Sequence, residues 1–262
     1  MPTVHYGDNA GNACYSPAIW GHMPIEQDPS RWVVFEDHFT GGLDIAASGS
    51  QGKWYAYIDT SDTITTSATL KTGAAIITTA ATDNNSPTLA GGITGALFTP
   101  QAMLPLAFEA RIAVSSIATM SIFVGIAQQG LAVNNGLIAD TQTAANIADV
   151  DYIGFWVLGD TAASTVNAAY HTESGTAVNV KAAAHTLVAN SYVNLGFFYN
   201  PYWDRFYFYV DGVKVAGQTT MRIGTTGVPD GEEMTPYLML KNGSGAARTL
   251  TCDFIRVAQA IW

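Results

Sequence analysis

The chain has 262 residues and an apolar fraction of 48%, enough to bury the core of one large domain. Only 12% of its residues are charged, about half the ~25% usual for soluble domains, so small polar residues or neighbouring subunits have to cover its surface. A net charge of −10 repels phosphate, which argues against nucleic acid and anionic membranes as partners.

Residues 1–31 carry Gly7, Gly11, Pro17, Gly21, Pro24 and Pro29 without a sustained period, which predicts an extended N-terminal arm. The opening MPTVHYGDNAGNACYSP lacks a basic n-region and an apolar h-region, so no signal peptide is expected. No stretch approaches the ~20 apolar residues of a membrane-spanning helix. The arm nevertheless contains Tyr6, Tyr15, Ile19, Trp20 and Met23, residues that a disordered tail rarely keeps. Two placements are open: the arm packs on its own domain, or these five residues reach across a neighbouring subunit. Cys14 and Cys252 are expected to be free thiols in a chain made in the cytoplasm, with a disulfide between them as the alternative.

From Trp32 to the end, residues 32–262 read as one all-β domain. WVVFEDHF opens the series. Phe108, Ala110, Ile112 and Val114 alternate with Glu109 and Arg111, and Met120, Ile122, Val124 and Ile126 repeat the pattern. Tyr152 to Leu158, YIGFWVL, is apolar on both faces. Val193 to Tyr199 and Phe206 to Val210 follow, and Asp211-Gly212 between FYFYV and VKVA is a hairpin signal. Thr235 to Leu240 and Leu250 to Val257 close the series. The Ala-rich pieces near 144–148 and 182–184 read as single helical turns. Many short strands with Gly, Asn and Asp between them predict a two-sheet antiparallel β-sandwich.

In a sandwich only one face of each sheet meets the core. The outer faces of YIGFWVL and FYFYV therefore need cover, either from the long segments 40–53, 78–100 and 128–150 or from partner subunits.

Three motifs in this order resemble one superfamily. FEDHFTGG followed by Lys53-Trp54 resembles the first core strand of concanavalin A-like lectin and laminin-G-like domains. FYFYVDGVKVAG looks like their hairpin with its YVDG turn, and LTCDFIRVAQ (Leu250 to Gln259) is similar to their final strand. Together they span roughly residues 33–259. The resemblance implies a concanavalin A-like jelly roll, a fold that hosts glycosidases, lectins and structural modules alike. It also implies that a hydrolase would carry a Glu-x-Asp-x-x-Glu pattern on one strand, with the working carboxyls about 5 Å apart.

That pattern is missing, and Asp149-Val150-Asp151 before YIGFW is its nearest echo. These two aspartates, with Asp140 and Asn146 nearby, also offer oxygen ligands to calcium, but in no recognisable ligand spacing. His5, His22, His38, His171 and His185 show no metal-ligand spacing, and neither a nucleophile elbow nor a phosphate-binding glycine loop occurs. No catalytic residue, metal or cofactor is expected. One cluster offers sugar contact. NPYWDRFY places Tyr202, Trp203, Asp204 and Arg205 at a turn, where rings stack on sugars and polar groups orient hydroxyls; otherwise Trp203 simply covers a core edge.

The low charge, the two-sided apolar strands, the aromatic arm and an Ala/Thr/Gly-rich texture that resembles bacteriophage structural proteins converge on a non-enzymatic structural virion protein. It is expected as a capsid decoration or surface protein. Its partners would be copies of itself, with a trimer suited to a capsid's local symmetry, and a capsid or other virion protein. The alternative is a lectin-like, carbohydrate-binding module on a phage tail or fibre. A degenerate glycoside hydrolase is the third reading.

Overall fold

The computed structural model describes the chain except for residues 1–14, 26–27, 46–51, 60, 68–69, 71–72, 93–97, 140–146, 160–163, 176–177, 219–221, 224–227 and 262. Tyr6, His5, Cys14, Asp140 and Asn146 thus lie outside the described residues. The alternating and doubly apolar runs become strands β1 (Trp32–Asp37), β2 (Trp54–Tyr57), β3 (Thr63–Thr66), β4 (Ala75–Thr78), β5 (Thr88–Gly91), β6 (Leu106–Val114), β7 (Met120–Gln128) and β8 (Tyr152–Val157). They continue with β9 (Thr165–His171), β10 (Val178–Thr186), β11 (Val193–Asn200), β12 (Arg205–Val210), β13 (Val213–Lys214), β14 (Met234–Asn242) and β15 (Thr249–Ala260).

These strands form two antiparallel sheets. The first runs β13-β12-β11-β6-β15-β4-β3, with β1 added along the far half of β15. The second runs β10-β9-β8-β7-β14-β5-β2. Inward side chains of both sheets build one core. Within it Phe155 of β8 meets Phe208 of β12 edge to face across the layers, centroids 5.4 Å apart. Asp211 and Gly212 hold φ of 48° and 72°, the left-handed pair that a two-residue hairpin turn requires. The Ala-rich stretch 182–184 is strand rather than a helical turn. It lies in β10, where register shifts and Ala183 at φ 53° break the edge ladder.

The central part of each outer sheet face is covered from within the chain. On the second sheet, Phe123, Tyr152, Trp156, Tyr237 and Met239 point away from the core. They pack under Leu131, Ala132, Leu137 and Ile138 of the segment after β7, with Ile147 and Val150 beside them. The Tyr237 hydroxyl donates to the Leu131 carbonyl at 2.8 Å, and Lys241 Nζ donates to Asn135 Oδ1 at 2.5 Å, fastening this strap.

On the first sheet the cover is the arm. A single helical turn, Pro17–Trp20, lays Ile19 and Trp20 on Ala107, Phe198, Tyr209 and Ala258, and Met23 and Ile25 extend the contact. Gly196 makes room for it: a Cβ there would lie 2.5 Å from Ile19 Cδ1 and 2.7 Å from the Phe108 carbonyl oxygen. The anchor is polar. Strand register aligns Glu36, Arg256, Glu109 and Gly196 in one row across β1, β15, β6 and β11. Glu109 is fully buried, and its carboxylate accepts from Ser16 N at 2.9 Å, Trp20 Nε1 at 2.6 Å and the Ser16 hydroxyl. Burial pushes this carboxyl up, while the three donors and Arg256 favour its charged form. Arg256 lies 4.6 Å from the Tyr15 ring and 4.5 Å from that of Trp20, and its Nε is 3.1 Å from Glu36. Glu36 is pulled down to about 2, chiefly by its hydrogen bond with His38, with burial opposing and Tyr15 and Arg256 adding to the shift.

The interface expected at Tyr15, Ile19, Trp20 and Met23 is thus filled by the chain's own sheet. Among the described residues, the outer faces of YIGFWVL and FYFYV are covered by the strap and the arm, so these two runs by themselves do not require a partner subunit. Trp20→Ala would delete a buried indole and one donor to Glu109. Denaturant unfolding should show a loss of about 3–5 kcal/mol; a loss below ~1 kcal/mol would mean the arm contributes little to the fold.

Candidate functional site

Tyr199 is the last aromatic residue of β11, and its fully buried ring packs on Phe206 at a centroid distance of 5.0 Å. Its hydroxyl reaches the sheet end and donates to Asp204 Oδ1 at 2.7 Å. The Met103 backbone favours the ionised form of this hydroxyl, against the larger effects that follow. Burial, first, and then the Asp204 bond push the hydroxyl's pKa up, keeping it a donor. Asp204 holds φ 50°, and its other oxygen is 3.9 Å from Arg222 Nε. Asn200 Oδ1 accepts from the backbone N–H of Tyr202 at 3.0 Å and of Trp203 at 3.3 Å, closing the turn from within.

The β11–β12 turn is therefore pinned at both ends, yet its rings are free. Tyr202 is 83% exposed and Trp203 60% exposed, with ring planes at 86° and centroids 4.9 Å apart. Trp203 does not cover a core edge. Sheet register extends the patch. Tyr199 pairs with Leu106, and Leu106 with Gln259. The loop before β6, carrying 74%-exposed Met103, and Ile261 after β15 therefore meet at the same sheet end as Tyr202 and Trp203. Arg205 opens β12 and is exposed on the outer face, since its neighbour Phe206 points into the core. The four residues singled out in the sequence, Tyr202, Trp203, Asp204 and Arg205, thus share this tip. Asp204 braces it, while the other three face solvent. Tyr199, Met103 and Arg222 were not legible as parts of it, because only register and the fold of the loops bring them there.

The aspartates before β8 have other work. Asp151 is buried, and its Oδ1 accepts from the Glu173 N–H at 3.2 Å; burial raises its carboxyl, with Glu232 and Glu173 adding to the effect. Asp149 accepts from the Ser174 N–H at 2.8 Å and lies 3.5 Å from His171 Nε2. Both tie down the turn after β9. Among the described residues, no group of three or more His, Cys, Asp or Glu could hold a metal. On β8 the outward positions are Tyr152, Gly154 and Trp156, with the strap packed against the two rings.

No protein-family model and no curated protein sequence matches the chain. Solved structures do. The endo-1,3-β-glucanase of Streptomyces sioyaensis superimposes with a TM-score of 0.56 at 13% identity, covering 88% of this chain and 98% of that one. Peanut lectin gives 0.54 at 13% identity, covering 87% and 97%. The fold is the concanavalin A-like jelly roll. An immunostimulatory antigen and pseudo β-1,3-glucanase of Mycobacterium tuberculosis shares it, with a TM-score of 0.54, 13% identity and coverage of 85% and 97%.

These neighbours correct the expectation that the chain is not an enzyme. Endo-1,3-β-glucanases are among the proteins that fold this way, so the fold belongs with glycosidases as much as with lectins. A missing carboxylate pattern therefore carries no weight against catalysis, since another arrangement of acids would leave no such signature.

Tyr199→Phe tests whether the hydroxyl braces the tip. The sandwich should lose about 0.5–1.5 kcal/mol, and hydrogen exchange at the Tyr202 and Trp203 amides should speed up. Unchanged exchange at those amides would show that Asn200 alone holds the turn.

Proposed function

We propose that this protein binds carbohydrate, and that the Tyr202–Trp203 tip is the contact. The observation that carries the reading is a pair of exposed rings on a backbone fixed by Asn200, Asp204 and Tyr199. Large rings left in water add little to folding, and a pinned turn loses little freedom when a ligand docks. The apolar faces of pyranose rings stack on such aromatics, and Arg205 can orient hydroxyls beside them. The fold shared with a lectin and with 1,3-β-glucanases supports the same ligand class. A bacteriophage virion is one setting in which such a tip would be displayed. The charged fraction of 12% supports that setting, and the site does not depend on it.

Calorimetric titration with oligosaccharides, starting from β-1,3-glucan fragments, tests the reading. Each of Trp203→Ala and Tyr202→Ala should weaken binding by roughly 2–12-fold, from about 0.5–1.5 kcal/mol per aromatic contact. Affinity for every bound glycan unchanged in both variants would overturn it. Reducing ends released from the same fragments report hydrolysis independently.

A further inference from the structure

The outer face of the hairpin that carries the tip is cationic, against the charge of the whole chain. Only 11 Lys and Arg stand against 21 acids in the sequence. Two of these cations, Arg205 and Lys214, sit on this outer face. Arg205 and Tyr207 are two apart on β12 and share that face. Lys214, paired through β13, holds its ammonium 4.0 Å from the centre of the Tyr207 ring. Both cations are exposed. Neither has a carboxylate within ion-pair distance among the described residues.

The local acids are directed elsewhere. Asp204 accepts from the Tyr199 hydroxyl and faces Arg222. Asp211 accepts from the Asn194 N–H at 2.9 Å, across the far turn. Asp230 acts on the Tyr199 hydroxyl at the tip. The result is a guanidinium two residues from an exposed indole, then a half-buried tyrosine, then an ammonium, in one line along the sheet edge.

Resting on the carbohydrate reading above, we infer that the ligand is an anionic glycan. Its sugar rings stack at Tyr202 and Trp203, and its acidic groups pair with Arg205 and Lys214. A planar guanidinium matches a carboxylate with two parallel hydrogen bonds, and an ammonium over a ring acts as a point charge for the next acidic group. The pairing is exposed, so it adds modest affinity that salt screens. It supplies discrimination: a neutral chain offers Arg205 only hydroxyls and leaves Lys214 in water, while an acidic chain gains two charge attractions.

The test uses the whole chain and three probes: an oligouronate, the same oligomer reduced to its neutral alcohol, and a sulfated oligosaccharide of matched length. The oligouronate should bind at least tenfold more tightly than its reduced form at low salt, with the gap closing as salt is raised. Arg205→Gln with Lys214→Gln should abolish that gap. Trp203→Ala should weaken acidic and neutral probes alike. Equal affinity for the uronate and its reduced form, still lost in Trp203→Ala, would overturn the anionic inference and leave the carbohydrate reading standing. Indifference of all binding to Trp203 would overturn the carbohydrate reading itself. The sulfated arm separates the two acid types: a preference for sulfate over uronate assigns the ester, and the reverse assigns the carboxylate.

Discussion

Both sheets carry buried-type aromatic and aliphatic residues on their outer as well as their inner faces, and the placement of the strap and the arm follows from how the chain meets that constraint. It spends its own segments as covers. The strap after β7 closes over Phe123, Tyr152, Trp156 and Tyr237, and the arm closes over Phe198, Tyr209 and Ala258. The arm's cover is not held by apolar contact alone. Glu109, buried in the middle of the first sheet, requires donors, and Ser16 and Trp20 supply them. A buried carboxylate therefore fixes where the arm must sit, and the rings of Tyr15 and Trp20 then lie on Arg256 beside it.

Self-coverage decides where a ligand can bind. The outer face of β8 is occupied by the strap, and the outer face around β11 by the arm. Among the described residues, the end of the first sheet is open, where the β11–β12 turn, the loop before β6 and the last residues of β15 come together. There the packing logic reverses. Tyr202, Trp203 and Met103 expose most of their surface while the backbone beneath them is tied by Asn200, Asp204 and Tyr199. Nothing in the stability of the sandwich calls for two bare aromatic rings on a rigid turn, and binding does.

The sequence made the strands legible where side chains alternate or run apolar, as in β6, β7, β8, β11 and β12, and it made the β12–β13 turn legible through Asp211-Gly212. The short strands β2 to β5 escaped notice because four residues carry too little period to stand out. Residues 182–184 misled for a physical reason: alanine favours helix locally, but pairing with β9 holds them in a bulged edge strand. The need for cover was readable from YIGFWVL and FYFYV, and so was one source of it, the segment 128–150. That the arm covers the other face was one of two open placements, because the partner that decides it, Glu109, lies some ninety residues away in the chain. At the tip, Tyr202 to Arg205 stood out as a run. Their brace, the Tyr199 hydroxyl on Asp204, did not, since one tyrosine at the end of an apolar strand leaves no local pattern.

Glycan is proposed to meet this protein at the β11–β12 end of the first sheet, and not on the outer face of β8. Six tryptophans make that directly observable, because each indole N–H gives its own resonance. Titrating in a bound oligosaccharide should shift the Trp203 indole signal and the Tyr202 and Arg205 amides, and leave the buried Trp20 and Trp54 and the strap-covered Trp156 in place. A shift centred on Trp156 and Tyr152, with Trp203 unmoved, would contradict it and place the site on the outer face of β8.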